Sequence, residues 1–114
     1  MKKIIKTSGE LSFQQLYNMT SGNGAEKLSK HVGEEIPLDV WAIFEDVSGK
    51  TGELYEVAAF DVDGVVIATN SPTFVDTFKN ILEMAKEVGA SVDRVRISSG
   101  TAKSGRTFYY CEPC

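Results

Sequence analysis

Apolar and polar residues alternate along much of this chain, and in two places the period changes to that of a helix. Residues 36–47 carry Val40, Ala42 and Phe44 on one side and Trp41 and Ile43 on the other, which predicts a strand. Residues 48–52, Ser-Gly-Lys-Thr-Gly, read as a turn. A second strand follows over 53–62, with Tyr55, Val57 and Ala59 opposite Leu54, Ala58 and Phe60. Asp63-Gly64 is a tight hairpin signal, and 65–69 is a third strand. Phe74, Phe78, Ile81, Leu82, Ala85 and Val88 then recur at helical spacing. Ser71 suits that helix's N-cap, Pro72 its first turn, and Gly89 its stop. Strands over 92–98 and 106–111, joined by a turn at Lys103-Ser104-Gly105, complete the pattern.

Upstream, residues 1–10 hold a short strand. Ser12 and Gln15 form a capping box for a short helix to about Met19, carrying Phe13, Leu16 and Tyr17 at i, i+3 and i+4. Thr20-Ser21-Gly22-Asn23-Gly24 ends it, and 25–33 is a connector with one helical turn. Three meandering strands, a helix and two more strands are the element order of the OB-fold. The expected class is therefore mainly β with α: a five-stranded antiparallel, partly open barrel, a helix between its third and fourth strands, and a short N-terminal helix. An α+β roll has the same element order.

A chain of 114 residues suits a single domain spanning 1–114. No apolar run reaches membrane-spanning length, and Met1-Lys2-Lys3-Ile4-Ile5-Lys6 lacks a signal peptide's apolar stretch, so the expectation is a cytoplasmic protein without membrane contact. Cys111 and Cys114 form one CxxC at the end of the chain. It lacks the partner ligands of a zinc site and the following helix of a redox motif, so neither metal nor other cofactor is expected.

Ala59-Phe60-Asp61-Val62-Asp63-Gly64 looks like the first motif of haloacid-dehalogenase-type phosphatases. That likeness covers about ten residues in the wrong part of the chain, and an Asp-Gly hairpin accounts for them more simply. His31 lies in a polar connector and reads as a solvated loop histidine. Asn70-Ser71-Pro72-Thr73 reads as capping. No catalytic residue is assigned, and the chain is expected not to be an enzyme.

Charge changes this picture by its distribution. The net charge is −4, and residues 34–63 hold nine acids and one base, Lys50. The last quarter is different: Arg94, Arg96, Lys103 and Arg106 stand there with Phe108, Tyr109 and Tyr110. Cations track a phosphate backbone, and aromatic rings offer bases a stacking face. Alternation groups Arg94, Arg96 and Ser98 opposite Val95 and Ile97. For the last strand two readings stay open. Either Phe108 and Tyr110 are core and Tyr109 is outside, or Arg106, Phe108 and Tyr110 form an exposed stripe. In OB-folds, strands two and three and the loops 1–2 and 4–5 bind single strands. Here those loops are 48–52, with Lys50, and 100–106, with Lys103 and Arg106. Trp41 and Tyr55 extend the stacking set, and Lys30 adds a cation.

The meander, the Thr-Asn-Ser-Pro-Thr-Phe helix opening and the final Ile-Ser-Ser-Gly-Thr-Ala-Lys-Ser-Gly-Arg-Thr-Phe hairpin together resemble small single-stranded DNA-binding proteins of Gram-positive phages and mobile elements. The resemblance runs from Phe13 to Cys111. It implies sequence-tolerant binding of single-stranded DNA in replication or recombination, with proteins of those processes as further partners. Exposed strand edges offer a route to a homodimer. The alternative is an acidic accessory protein that acts through protein contacts, or by nucleic-acid mimicry, with residues 34–63.

Overall fold

A computed structural model describes residues 2–22 and 24–114. Met1 and Asn23, the latter part of the expected helix stop, lie outside the described residues. The meander forms as expected. β4 (Trp41–Val47), β5 (Leu54–Val62) and β6 (Val65–Thr69) pair antiparallel in sequence. The β5–β6 turn places Asp63 at φ 53° and Gly64 at φ 86°. Two successive positive φ values are what a primed two-residue hairpin turn demands, and Asp-Gly supplies them at low steric cost. The Asp61 carboxylate accepts the Gly64 N–H at 3.0 Å, so this aspartate closes the turn.

The expected strand over 36–47 is broken. Its first part is β3 (Glu35–Pro37), its second β4, and the chain bends between them at residues 38–40. Backbone hydrogen bonds hold the bend: Leu38 N–H donates to Asp93 O at 2.9 Å, and Val40 O accepts from Asp61 N–H at 2.9 Å. Its consequence is two sheets. The larger has the order β1-β4-β5-β6-β2, with β1 (Lys3–Thr7) antiparallel on β4 and β2 (Glu26–Lys27) parallel on β6. The smaller has the order β3-β7-β8, with β7 (Arg94–Thr101) and β8 (Thr107–Pro113) as a hairpin. The single five-stranded antiparallel barrel is thus corrected to a five-stranded mixed sheet beside a three-stranded one, and the barrel is not closed. β6 takes β2 as its outer neighbour, not β8.

Helix α1 (Phe13–Thr20) opens with the expected capping box: the Ser12 hydroxyl accepts the Gln15 N–H at 3.1 Å, and Gln15 Oε1 accepts the Ser12 N–H at 2.9 Å. Its buried residue is Met19, and the Phe13 and Tyr17 side chains face outward. Met19 packs with Ala42, Phe44, Ala59 and Val66 on one face of the large sheet. Helix α2 (Pro72–Val88) and the inner face of the small sheet cover the other. There Phe74, Val75 and Phe78 meet Trp41, Ile43, Ala58 and Phe60 of the large sheet and Val95, Ile97 and Cys111 of the small one. Ile81 and Leu82 pack on the rim, but Val88, at the end of the expected stripe, is exposed. Ser71 occupies the N-cap of α2 without a side-chain capping bond; its own N–H donates to Thr69 Oγ1 at 3.1 Å. Among the described residues no helix is long and apolar enough to cross a membrane.

Candidate nucleic-acid interface

The register of the β7–β8 hairpin sets Arg96 across from Glu112, Ser98 across from Tyr110, and Gly100 across from Phe108. Val95 and Ile97 are fully buried, which turns Arg94, Arg96, Ser98 and Gly100 to the outer face. On β8 the structure decides between the two open readings. Cys111 is buried and Tyr109 packs against the core, so Phe108 and Tyr110 lie outside. Their rings sit 6.0 Å apart at 33°, each half-buried. The Phe108 ring occupies the space that a side chain at position 100 would fill, which explains the glycine inside this strand.

Cations frame these rings. Arg94 and Arg96 are exposed on β7, and Lys103 and Arg106 are exposed in the hairpin turn. That turn is closed by the Ala102 N–H, which donates to Arg106 O, and by the Gly105 N–H, which donates to Ala102 O, both at 2.9 Å. Two carboxylates share the face. Glu35 Oε2 stands 3.1 Å from Arg96 Nη2, and Glu112 Oε1 accepts from Ser98 Oγ at 3.2 Å. The Arg96–Glu35 pair is solvent-exposed and so weakly held, leaving Arg96 able to exchange its partner for a phosphate. Arg94, Lys103 and Arg106 enter no ion pair among the described residues.

The other expected contacts lie elsewhere. Lys50 is exposed in the β4–β5 turn, beside a cleft that reaches Tyr55. The Tyr55 hydroxyl donates to Asp46 Oδ2 at 3.4 Å. Burial, and then the Asp46 charge, raise its pKa above 10.0 and keep it protonated. Tyr109 shares a second cleft with Tyr55. Lys30 is exposed on the 3-10 turn Leu28–His31.

Trp41 is corrected. It is 6 % exposed and meets Phe78 edge to face at 5.1 Å, so no ring face is open to a base. Its residue type suited stacking, but its side of β4 faces α2. His31 is corrected too. Its Nε2 lies 2.6 Å from Glu26 Oε1 and its Nδ1 3.0 Å from Glu34 Oε2, clasping β2 to the approach to β3.

Comparison with protein-family models, curated proteins and solved structures gives no match to this chain. Among the described residues no group of three or more His, Cys, Asp or Glu side chains is arranged to hold a metal ion. Sequence reasoning missed the glycine platform under Phe108, the histidine clasp, and the cleft that Lys27 and Asn70 line together with Tyr55 and Tyr109. A glycine within a strand pattern was the available signal for the first. The clasp joins His31 to carboxylates only five and three positions away, so its signal was Glu26 and Glu34 flanking the histidine; the cleft depends on contacts between distant segments, which spacing does not encode.

Proposed function

We propose that this chain is a non-enzymatic, sequence-tolerant single-stranded DNA-binding protein of OB-like architecture, serving replication or recombination of a phage or mobile element. The observation that carries this reading is the outer face of the β7–β8 hairpin, where Phe108 and Tyr110 present adjacent rings framed by Arg94, Arg96 and Arg106. A ring face stacks on any base, and an arginine meets any phosphate, so such a surface binds without reading sequence.

The disposition of the acids supports it. Glu45, Asp46 and Glu56 belong to β4 and β5, in the other sheet. Glu56 is paired with Lys79, and Asp46 stands near Lys2 and Tyr55, so part of the acidic block is neutralised within the fold. The OB-like assignment rests on the bent segment 35–47 shared by both sheets and on the position of α2 between β6 and β7.

The test is fluorescence anisotropy with a labelled oligo-dT of about 30 nucleotides, long enough for several OB-fold site sizes, at low and moderate salt with duplex as competitor. Salt-sensitive binding, poorly competed by duplex, is expected. No binding at low salt would overturn the reading.

A further inference from the structure

Because β8 does not close onto β6, a cleft of about 480 Å³ opens beside the seam. β2 pairs with β6 only at Ile67 and Ala68, and the chain beyond, through Asn70 and Ser71, lines the opening. Tyr55 and Tyr109 contribute aromatic rings, Ser29, Asn70 and Ser71 contribute hydroxyl and amide groups, and Lys27 contributes the only formal charge among the described lining residues. Lys27 thus supplies a lone cation to the lining of this cleft, in a protein whose net charge is −4. It combines the three things a nucleotide needs: a flat apolar contact for the base, hydrogen-bonding groups at its edge, and a cation for the phosphate.

We propose that this cleft is a second site, which takes a single mononucleotide unit. This rests on the single-strand reading for the source of that unit, an unstacked nucleotide of the strand held on the β7–β8 face. A free nucleoside monophosphate carries the same chemistry. The two tyrosines are anchored independently of ligand, Tyr55 by Asp46 and Tyr109 by the core, which lowers the ordering cost of binding there. The cleft is distinct from the outer hairpin face, because Tyr109 points to the opposite side of β8 from Phe108 and Tyr110.

The experiment is a pair of titrations into the isotope-labelled full-length protein, followed by amide chemical shifts. One uses thymidine 5′-monophosphate and the other the unlabelled oligo-dT. Thymidine monophosphate is expected to move the resonances of Lys27, Ser29, Asn70 and Ser71 while leaving Phe108 and Tyr110 in place. Lys27→Ala, at an exposed position, is expected to weaken this binding roughly tenfold, the loss of one charge-assisted contact. Phe108→Ala is expected to leave it unchanged.

An oligonucleotide that moves both sets of resonances supports a strand threading from the hairpin face into the cleft. A mononucleotide that binds while the oligonucleotide does not keeps the cleft as a site for free nucleotide and overturns the single-strand reading. An oligonucleotide that binds while neither ligand moves the cleft resonances overturns the cleft and leaves that reading standing. Mononucleotide shifts that Lys27→Ala leaves unaltered overturn the assigned role of Lys27 and with it the site.

Discussion

The ring of Phe108 lies against Gly100, so close that a β-carbon on the glycine would stand 2.5 Å from Phe108 Cζ. Gly100→Ala therefore forces the ring off its platform. The expected cost is about 1–3 kcal/mol of stability from overpacking, read as a lower denaturant midpoint. Combining it with Phe108→Ala should recover most of that loss, since the clashing atoms are gone. A Gly100→Ala protein as stable as the parent would mean that the half-exposed ring swings aside at little cost.

Phe108→Ala alone separates binding from folding. The ring is half-buried on the outer face, away from the main core. Its removal is expected to weaken oligo-dT binding by about 1–3 kcal/mol, the worth of one stacked base. Trp41→Ala should do the reverse. Emptying that core position is expected to cost about 3–5 kcal/mol of stability, while the protein that remains folded binds with parental affinity. Anisotropy beside urea melts distinguishes the two patterns.

Arg106 is exposed in the hairpin turn and enters no ion pair among the described residues. Arg106→Ala should weaken binding to oligo-dT, oligo-dA and mixed sequences alike. It should also reduce the slope of log affinity against log salt by about 0.7, the value for one phosphate contact on a single strand. An unchanged slope would remove Arg106 from the interface.

His31 predicts a pH dependence of stability. Both ring nitrogens face carboxylates, and both can donate only when the imidazole is doubly protonated. The hydrogen bond to Glu34 is the largest influence raising its pKa above 6.5; partial burial opposes it, and the bond to Glu26 and both carboxylate charges reinforce it. A folded-state pKa above the unfolded one means that folding favours the charged ring. The stabilisation is complete below pH 6.5 and is lost as pH rises through the raised value. Urea midpoints between about pH 5.5 and 8.5 should fall with rising pH for the parent and stay flatter for His31→Gln. Lys27 and Lys30 flank the ring on its own segment. Parallel curves for the two proteins would rule out the clasp.

The two thiols should differ in reactivity. Cys111 is buried beside Thr77, and burial pushes its pKa up to about 11, whereas Cys114 is exposed. A thiol reagent at neutral pH should therefore label Cys114 promptly and Cys111 only on unfolding. Rapid labelling of both would show that the end of β8 opens readily.

Local order was legible in the residues. The capping box at Ser12 and Gln15, the Asp63-Gly64 turn, the Pro72 opening of α2 and the alternation that buries Val95 and Ile97 each follow from interactions within a few positions. Local geometry is sufficient to specify such features, because period, capping and turn chemistry act between near neighbours. The tertiary structure alone decided the break of the 35–47 segment into two sheets, the burial of Trp41 beneath α2, the outward choice of Phe108 and Tyr110, and the open seam where β2 replaces β8 on β6. Alternation along a strand sorts its residues into two faces but does not say which face the rest of the chain will cover. That choice belongs to packing between segments distant in sequence, and here it determines which aromatic rings remain available to a ligand.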